Sequence, residues 1–342
     1  MRQNELSNGK LLNVYGNLNE AGYAKSLIKE YNRKDIKASK FRIKEWDYYY
    51  IGNDSFGVAF TIADNSYMAL AGVSLLDYTN KKFVTKNIMK WFTMGKLNLP
   101  SSSKIGDVVF KSKKLSLEFI NDGISRTIKC HFSKFHNKMD FDCEIELFDE
   151  PSDSMVIATP FEKKRHFYYN QKINCMRARG KATIGGKVYN FKPNESFAVL
   201  DWGRGVWTYS NTWYWSSMSS LYEGKKIGFN LGYGFGDTSK ASENMIFFDG
   251  VAYKTEEVTF HIPKDEKGKD DFLKPWRFTS NDGAINLVFE PIIDRKDHTN
   301  VVIIKSLQDQ VFGKFSGELK FDGKTIKIEN LLGFAEKVIN KW

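Results

Sequence analysis

The amino-acid sequence predicts an antiparallel all-β chain arranged in barrels or sandwiches. Three observations carry this expectation. Apolar and polar residues alternate with a period of two through eight short segments. These segments are separated by Asp-Gly, Gly-Gly and Asn-Asp-Gly turns, which supply the positive φ angles that tight hairpins need. Aromatic residues make up 15% of the chain, and large rings favour strands and cavity walls.

In chain order the predicted strands are residues 56–62, 108–119, 125–132, 140–147, 226–233, 258–262, 285–289 and 312–321. The turns are Asn121-Asp122-Gly123, Gly185-Gly186, Asp249-Gly250, Asn281-Asp282-Gly283 and Asp322-Gly323. Helix is scarce. Residues 21–31 read either as a short helix or as an extended arm, and residues 86–92 form a helical candidate. In residues 332–342, Phe334, Val338 and Ile339 fall at helical spacing, which predicts a short C-terminal helix.

A length of 342 residues exceeds the usual size of one core, so two domains are expected. The two halves echo each other. Trp46 and Tyr48 precede an apolar strand and the Asp122-Gly123 turn; Trp213 and Trp215 precede an apolar strand and the Asp282-Gly283 turn. Pro151, Ser152, Pro160 and the charged residues 162–166 break the pattern between them. The expected division is an N-terminal arm at 1–40, a first β domain at 41–165 and a second at 175–342.

Composition narrows the function classes. The net charge of +10 comes from 41 lysines and only 10 arginines, spread along the whole chain. A nucleic-acid binder concentrates its cations and leans on arginine for bidentate contacts, so no nucleic-acid partner is expected. Peripheral attraction to an anionic membrane is compatible with the lysine excess. The three cysteines, Cys130, Cys143 and Cys175, form no CxxC pair and read as free thiols of a reducing compartment. The first ten residues are polar, without the apolar stretch of a signal peptide, and no run approaches the roughly 18 apolar residues of a transmembrane segment. A cytoplasmic location is expected. The five histidines lack zinc-site spacing, and Gly232, Gly234 and Gly236 have no following helix. No metal and no cofactor are expected.

The richest stretch is Leu200-Asp201-Trp202-Gly203-Arg204-Gly205-Val206-Trp207, followed by Trp213-Tyr214-Trp215. Four of the eight tryptophans lie within it. Each indole needs a packing surface and an N–H partner, so the stretch reads as a cavity wall with one acid and one guanidinium set into it. Asp201 beside aromatic rings would have a raised pKa and act as a proton donor. Arg204 would hold a carboxylate or phosphate end of a ligand. The competing structural reading is an Asp201–Arg204 pair fixing a bend, with Trp207, Trp213 and Trp215 as core.

These residues resemble the bacterial family designated domain of unknown function 2804. The resemblance covers most of the chain and rests on Phe41-Arg42-Ile43-Lys44-Glu45-Trp46-Asp47-Tyr48-Tyr49, on the Asp201–Trp215 stretch, on Asn230-Leu231-Gly232 with Gly234, on Glu243-Asn244, and on Gly333 with Glu336 and Trp342. More distantly the family is similar to tandem lipocalin-like proteins, among them carotenoid hydratases, fungal cyclases of the Diels–Alder type and a survival-factor group linked to lipid handling. That similarity implies two lipocalin-like (calycin-like) β-barrel domains in tandem, with a hydrophobic pocket in or between them.

The expectation is therefore a protein that binds a hydrophobic, lipid- or isoprenoid-like small molecule through Trp46, Arg204, Trp207, Trp213, Trp215, Glu243 and Asn244. The alternative is a cofactor-independent isomerase, hydratase or cyclase, with Asp201 or Glu336 as the acid. Arg204 is the expected partner of both acids.

Overall fold

The structure, a computed structural model, describes residues 3–301 and 304–341. Among them the only helical segments are two 3-10 turns, Arg33–Asp35 and Lys40–Arg42, and none is long and apolar enough to cross a membrane. Residues ahead of Ile43 form an extended arm with three short strands, β1 (Gly9–Lys10), β2 (Gly22–Ala24) and β3 (Lys29–Glu30). Of the two readings of residues 21–31, the arm is the one observed.

The first half opens with a meander of β4 (Ile43–Gly52), β5 (Phe56–Asp64), β6 (Met68–Asp77) and β7 (Lys82–Trp91). It continues with β8 (Val108–Lys111), β9 (Leu115–Asn121), β10 (Arg126–His136) and β11 (Met139–Phe148). Next come β12 (Met155–Pro160), β13 (Phe167–Ile184), β14 (Lys187–Phe191) and β15 (Phe197–Val206). The second half has a matching meander of β16 (Ser210–Tyr222), β17 (Lys225–Tyr233), β18 (Met245–Phe248) and β19 (Val251–Lys254). It ends with β20 (Val258–His261), β21 (Trp276–Ser280), β22 (Ile285–Val301), β23 (Ile304–Phe321) and β24 (Lys324–Lys341).

The first sheet runs β7-β6-β5-β4-β15-β13-β11-β10-β9-β8, with β2, β12 and β14 paired at its side; the second runs β19-β18-β17-β16-β24-β23-β22-β21-β20. Each curls into a half-barrel around its own apolar core. The halves share one plan: the last strand returns to pair with the first, β15 on β4 and β24 on β16. Trp46 and the Trp213–Trp215 pair, which echo each other in sequence, sit on these two first strands.

Hairpin chemistry explains several joints. Gly185-Gly186, Asp249-Gly250 and Asp322-Gly323 link β13 to β14, β18 to β19 and β23 to β24, and both residues of each pair have positive φ. That is the backbone a two-residue hairpin imposes.

Three expectations are corrected. Residues 332–341 are the end of strand β24, not a helix. Phe334, Val338 and the intervening Glu336 lie on one face of a strand, so a spacing of four satisfies either periodicity. Residues 86–91 belong to β7, whose alternation sends Val84 and Ile88 against the core and Met89 and Trp91 to solvent. The expected domain break at 150–174 falls inside the first sheet, because β13, β14 and β15 all pair within it. The change of sheet comes between Val206 and Ser210.

Gly323 has a φ of 68° with nothing near its missing Cβ, so only backbone conformation opposes a side chain there. Gly323→Val should cost about 1–2 kcal/mol in urea unfolding, and an unchanged midpoint would show that the turn relaxes freely.

Candidate functional site

Strand register places the two half-barrels face to face in three rows. In β4 and β15, Tyr50 pairs with Val199, Tyr48 with Asp201 and Trp46 with Gly203. In β16 and β24, Ser217 pairs with Phe334, Trp215 with Glu336 and Trp213 with Val338. These residues lie on the strand faces that point away from the barrel interiors. Tyr48, Tyr50, Val199, Trp215 and Phe334 pack as one cluster between the sheets. The Tyr48 ring meets Trp215 at 5.9 Å, and Tyr50 meets Phe334 at 5.6 Å.

The middle row is polar along its whole length. Lys172 on β13 pairs in register with Asp201, and Gln310 on β23 with Glu336. The Lys172 ammonium lies 3.0 Å from Asp201 Oδ1, 3.9 Å from Glu243 Oε2 and 4.2 Å from the Trp215 ring centre. Asn170 Nδ2 donates to Asp201 Oδ1 at 2.6 Å. Trp215 Nε1 donates to Asn230 Oδ1 at 2.7 Å, and Asn230 in turn donates to the Glu243 carbonyl. Glu336 accepts from Trp213 Nε1 and from Gln310 Nε2, each at 2.9 Å. Gln310 Oε1 accepts from Arg295 at 2.7 Å and from the Tyr48 hydroxyl at 3.3 Å. Arg295 also donates to Ser74 at 2.9 Å, bridging the two sheets.

Burial governs the protonation of this row. It raises the carboxyls of Glu243 and Glu336 above the usual carboxylate range, against the pull of Lys172 on the first and of the Trp213 hydrogen bond on the second. It also raises the hydroxyls of Tyr48 and Tyr168. Glu243 Oε2 is buried and makes no hydrogen bond among the described residues. The row therefore holds two carboxyls biased to keep a proton, next to a fixed ammonium. No three His, Cys, Asp or Glu side chains among the described residues are arranged to hold a metal ion.

On one side of this row lies the tryptophan row. Trp46 stacks on Tyr168 at 6.0 Å and meets Trp207 edge-on at 5.2 Å; Trp207 meets Trp213 at 5.8 Å and Phe235 at 4.7 Å. Gly203 makes this possible, since a Cβ there would stand 1.9 Å from the Trp46 ring. On the other side an open cleft of about 640 Å³ enters between the sheets. Tyr50, Val199, Ser217 and Phe334 form its inner end, with Phe56 and Phe197 among its walls. The polar row begins two residues deeper on each of four strands, roughly 6–7 Å further in.

The sequence-derived residues are thus redistributed. Asp201, Trp215, Glu243 and Glu336 meet in or beside the polar row. Trp46, Trp207 and Trp213 pack against one another, and none of the four tryptophans lines the open cleft. The expected Asp201–Arg204 pair does not form, because residues three apart on a strand point to opposite faces. Arg204 faces the first barrel's interior, fully buried. It is paired with Asp47 at 3.0 Å and donates to the carbonyls of Trp46, Gly203 and Pro100. Its guanidinium stacks 4.3 Å from the Trp202 ring centre. It is a bolt of the first barrel, and no Arg204–Glu336 pair forms among the described residues. Asn244 is likewise committed, accepting from Gly232 N–H and donating to the Glu256 carbonyl at 2.9 Å. Lys172, Asn170, Asn230, Gln310, Arg295 and Tyr48 were missed as site residues. The signal for the first two was the alternation of Asn170, Lys172 and Asn174 with Tyr169, Gln171 and Ile173.

Two outcomes follow. Arg204→Met strands the buried Asp47 carboxylate and should lower stability by about 3–5 kcal/mol in urea unfolding; a loss below 1 kcal/mol would remove the bolt. The pH dependence has a defined sign. Glu243 and Glu336 hold their protons to higher pH when folded than when unfolded, so their stabilisation is present below the unfolded value near 4.5 and is lost as pH rises through the folded values. A Glu243→Gln, Glu336→Gln double variant lacks this loss. Its urea midpoint relative to the parent should climb as pH rises above about 4.5, and a constant difference would refute the raised carboxyls.

Similarity to known proteins agrees with this architecture. None of the curated proteins matches the sequence. Among solved structures, kievitone hydratase from Nectria haematococca superposes with a TM-score of 0.50 at 11% identity, over 87% of this chain and 88% of that one. A putative AttH from Nitrosomonas europaea gives 0.45 at 13% identity, over 92% and 97% of the two chains. CghA gives 0.42 at 9% identity, over 99% and 97%. The fold is lipocalin-like, in two tandem units. A family model matches residues 3–342, and the chain belongs to the family described as domain of unknown function DUF2804.

Proposed function

We propose that this protein binds a hydrophobic small molecule between its two half-barrels. The ligand's apolar body occupies the cleft against Tyr50, Phe197, Val199 and Phe334, and its polar end meets the row of Tyr48, Asp201, Lys172, Trp215 and Glu336. The observation that supports this reading is the register: the apolar part of the cleft wall, Tyr50, Val199 and Phe334, and the polar row are consecutive on the same four strands, while Asn53, Asp54, Asn190, Lys192 and Glu195 make the rest of the lining polar. Ligand sites combine these elements, an apolar concavity with a few convergent polar groups.

Acid-assisted chemistry on that ligand is the second reading. It is favoured by the raised Glu243 and Glu336, since a carboxyl that burial makes hold its proton above the usual carboxylate range suits a proton donor. One solved protein of this fold is named a hydratase. In this reading Glu336 donates the proton, with Asp201 and its Lys172 partner as the nearest base.

The test is a titration with the fluorescent fatty acid cis-parinarate, together with mass spectrometry of an organic extract of the purified protein. Ser217→Trp fills the inner end of the cleft. It should abolish parinarate binding and remove the extracted lipophile; because Ser217 is buried and accepts a hydrogen bond from Asn174, circular dichroism first establishes that the variant is folded. Equal binding by both proteins would place the ligand elsewhere. Incubating the extracted lipophile with protein in deuterated water separates the two readings. Deuterium uptake that Glu336→Gln abolishes would establish the acid, and no uptake would leave a binding protein.

A further inference from the structure

One end of the first half-barrel carries a surface that neither the fold nor the ligand site explains. Strand β7 ends at Trp91, and the chain turns away through Phe92, which has a positive φ of 54°. Trp91 is 59% exposed and Phe92 67% exposed; Met89 on the same strand is 52% exposed. Phe41, just ahead of β4 at the same end of the sheet, is 54% exposed. Burial normally claims such side chains, and here the backbone holds two rings outward.

These side chains stand in a field of one sign. Towards this end of the strand, residues 86–98 contain Lys86, Lys90 and Lys96 and no acid. Residues 33–42 contain Arg33, Lys34, Lys37, Lys40 and Arg42 against the single Asp35. The two segments meet in space. The Arg33 guanidinium lies against Gly95, and Arg33 and Met94 both bond to Ser66, through its hydroxyl at 3.0 Å and its carbonyl at 2.8 Å. Lys34, Lys37, Lys40 and Lys96 point to solvent. The nearby acids Glu45, Asp47 and Asp64 are buried and face inward, where Glu45 neutralises Arg33 and Asp47 pairs with Arg204. The face therefore presents exposed ammonium groups around exposed rings.

We propose that this end of the first half-barrel docks on an anionic lipid surface. The lysines meet the phosphate and carboxylate headgroups, and Trp91, Phe92, Met89 and Phe41 enter the headgroup–acyl boundary. Charge complementarity selects the occupant. A polybasic patch alone suits any polyanion, but tryptophan and phenylalanine held outward among lysines fit the membrane interface, where amphipathic rings settle at headgroup depth. A second copy of this chain is disfavoured, because it would bring two such lysine fields together.

The experiment is sedimentation of the full chain with vesicles of phosphatidylcholine and of phosphatidylcholine with phosphatidylserine, at low and high salt. Partitioning is expected only with the serine lipid and should weaken as salt rises. Each of Lys34→Gln, Lys37→Gln, Lys40→Gln and Lys96→Gln should lower it roughly fivefold. Lipid brominated on its acyl chains should quench the tryptophan fluorescence of the parent, and Trp91→Phe should remove that quenching while preserving binding. Absence of sedimentation, binding unchanged in a Trp91→Ser, Phe92→Ser variant, or quenching unchanged in Trp91→Phe would overturn the proposal. So would a dimer in light scattering that Trp91→Ser, Phe92→Ser dissolves without affecting vesicle binding.

Discussion

The constraint on which the rest of this structure depends is that its central strands have no wet face. All ten residues of β15 are buried, and β4 and the first half of β13 are nearly so. One face of each closes a half-barrel and the other meets the opposite sheet. Every polar group on these strands must therefore be answered by protein, since an unpaired buried charge costs several kcal/mol. The two faces answer separately. Inside the first barrel, Arg204 answers Asp47; between the sheets, Lys172 answers Asp201. Asp201 and Arg204, three positions apart on β15, thus serve the candidate site on one face and the scaffold on the other.

That constraint also sets what was legible in the sequence. The strands β9, β10 and β11 bury one face and wet the other, so their alternation reads directly. The Asp-Gly and Gly-Gly hairpins are local in cause and were equally plain. Strands buried on both faces lose the apolar–polar alternation, which is why β12 and β15 left no period-two mark, β13 left only the short Asn170, Lys172, Asn174 series, and the change of sheet was placed too early. The terminal strand was misread because Phe334 and Val338 are four apart. The site was half legible: the acids Asp201, Glu243 and Glu336 and the tryptophans were recognised as its materials. Their partners were not, because pairing across sheets is set by register that no single stretch contains. Lys172 was hidden by its type, since one lysine among 41 reads as solvated until the fold buries it.

The polar row is also the seam that fixes how the two half-barrels sit. Apolar packing alone would let the sheets slide, as it is non-directional. Hydrogen bonds from Arg295 to Ser74 and from Tyr48 to Gln310 cross the gap, and Lys172 lies over Trp215 from the opposite sheet. Directional bonds in a dry layer specify one alignment. A ligand that competed for these groups would be read by both halves at once.

The return of each last strand beside its first has a consequence for synthesis on the ribosome. The pairing of β4 with β15 closes once Val206 has emerged, whereas β16 waits for Lys341, its partner in β24. The first half can complete its sheet while the second is still being made. Throughout that interval Trp46, Tyr48, Tyr50 and the Asp201–Lys172 pair would have no opposing sheet. Such late closure of distant strands is slow and exposes sticky surface. The nascent first half would thus be a chaperone client on the face that later becomes the candidate site.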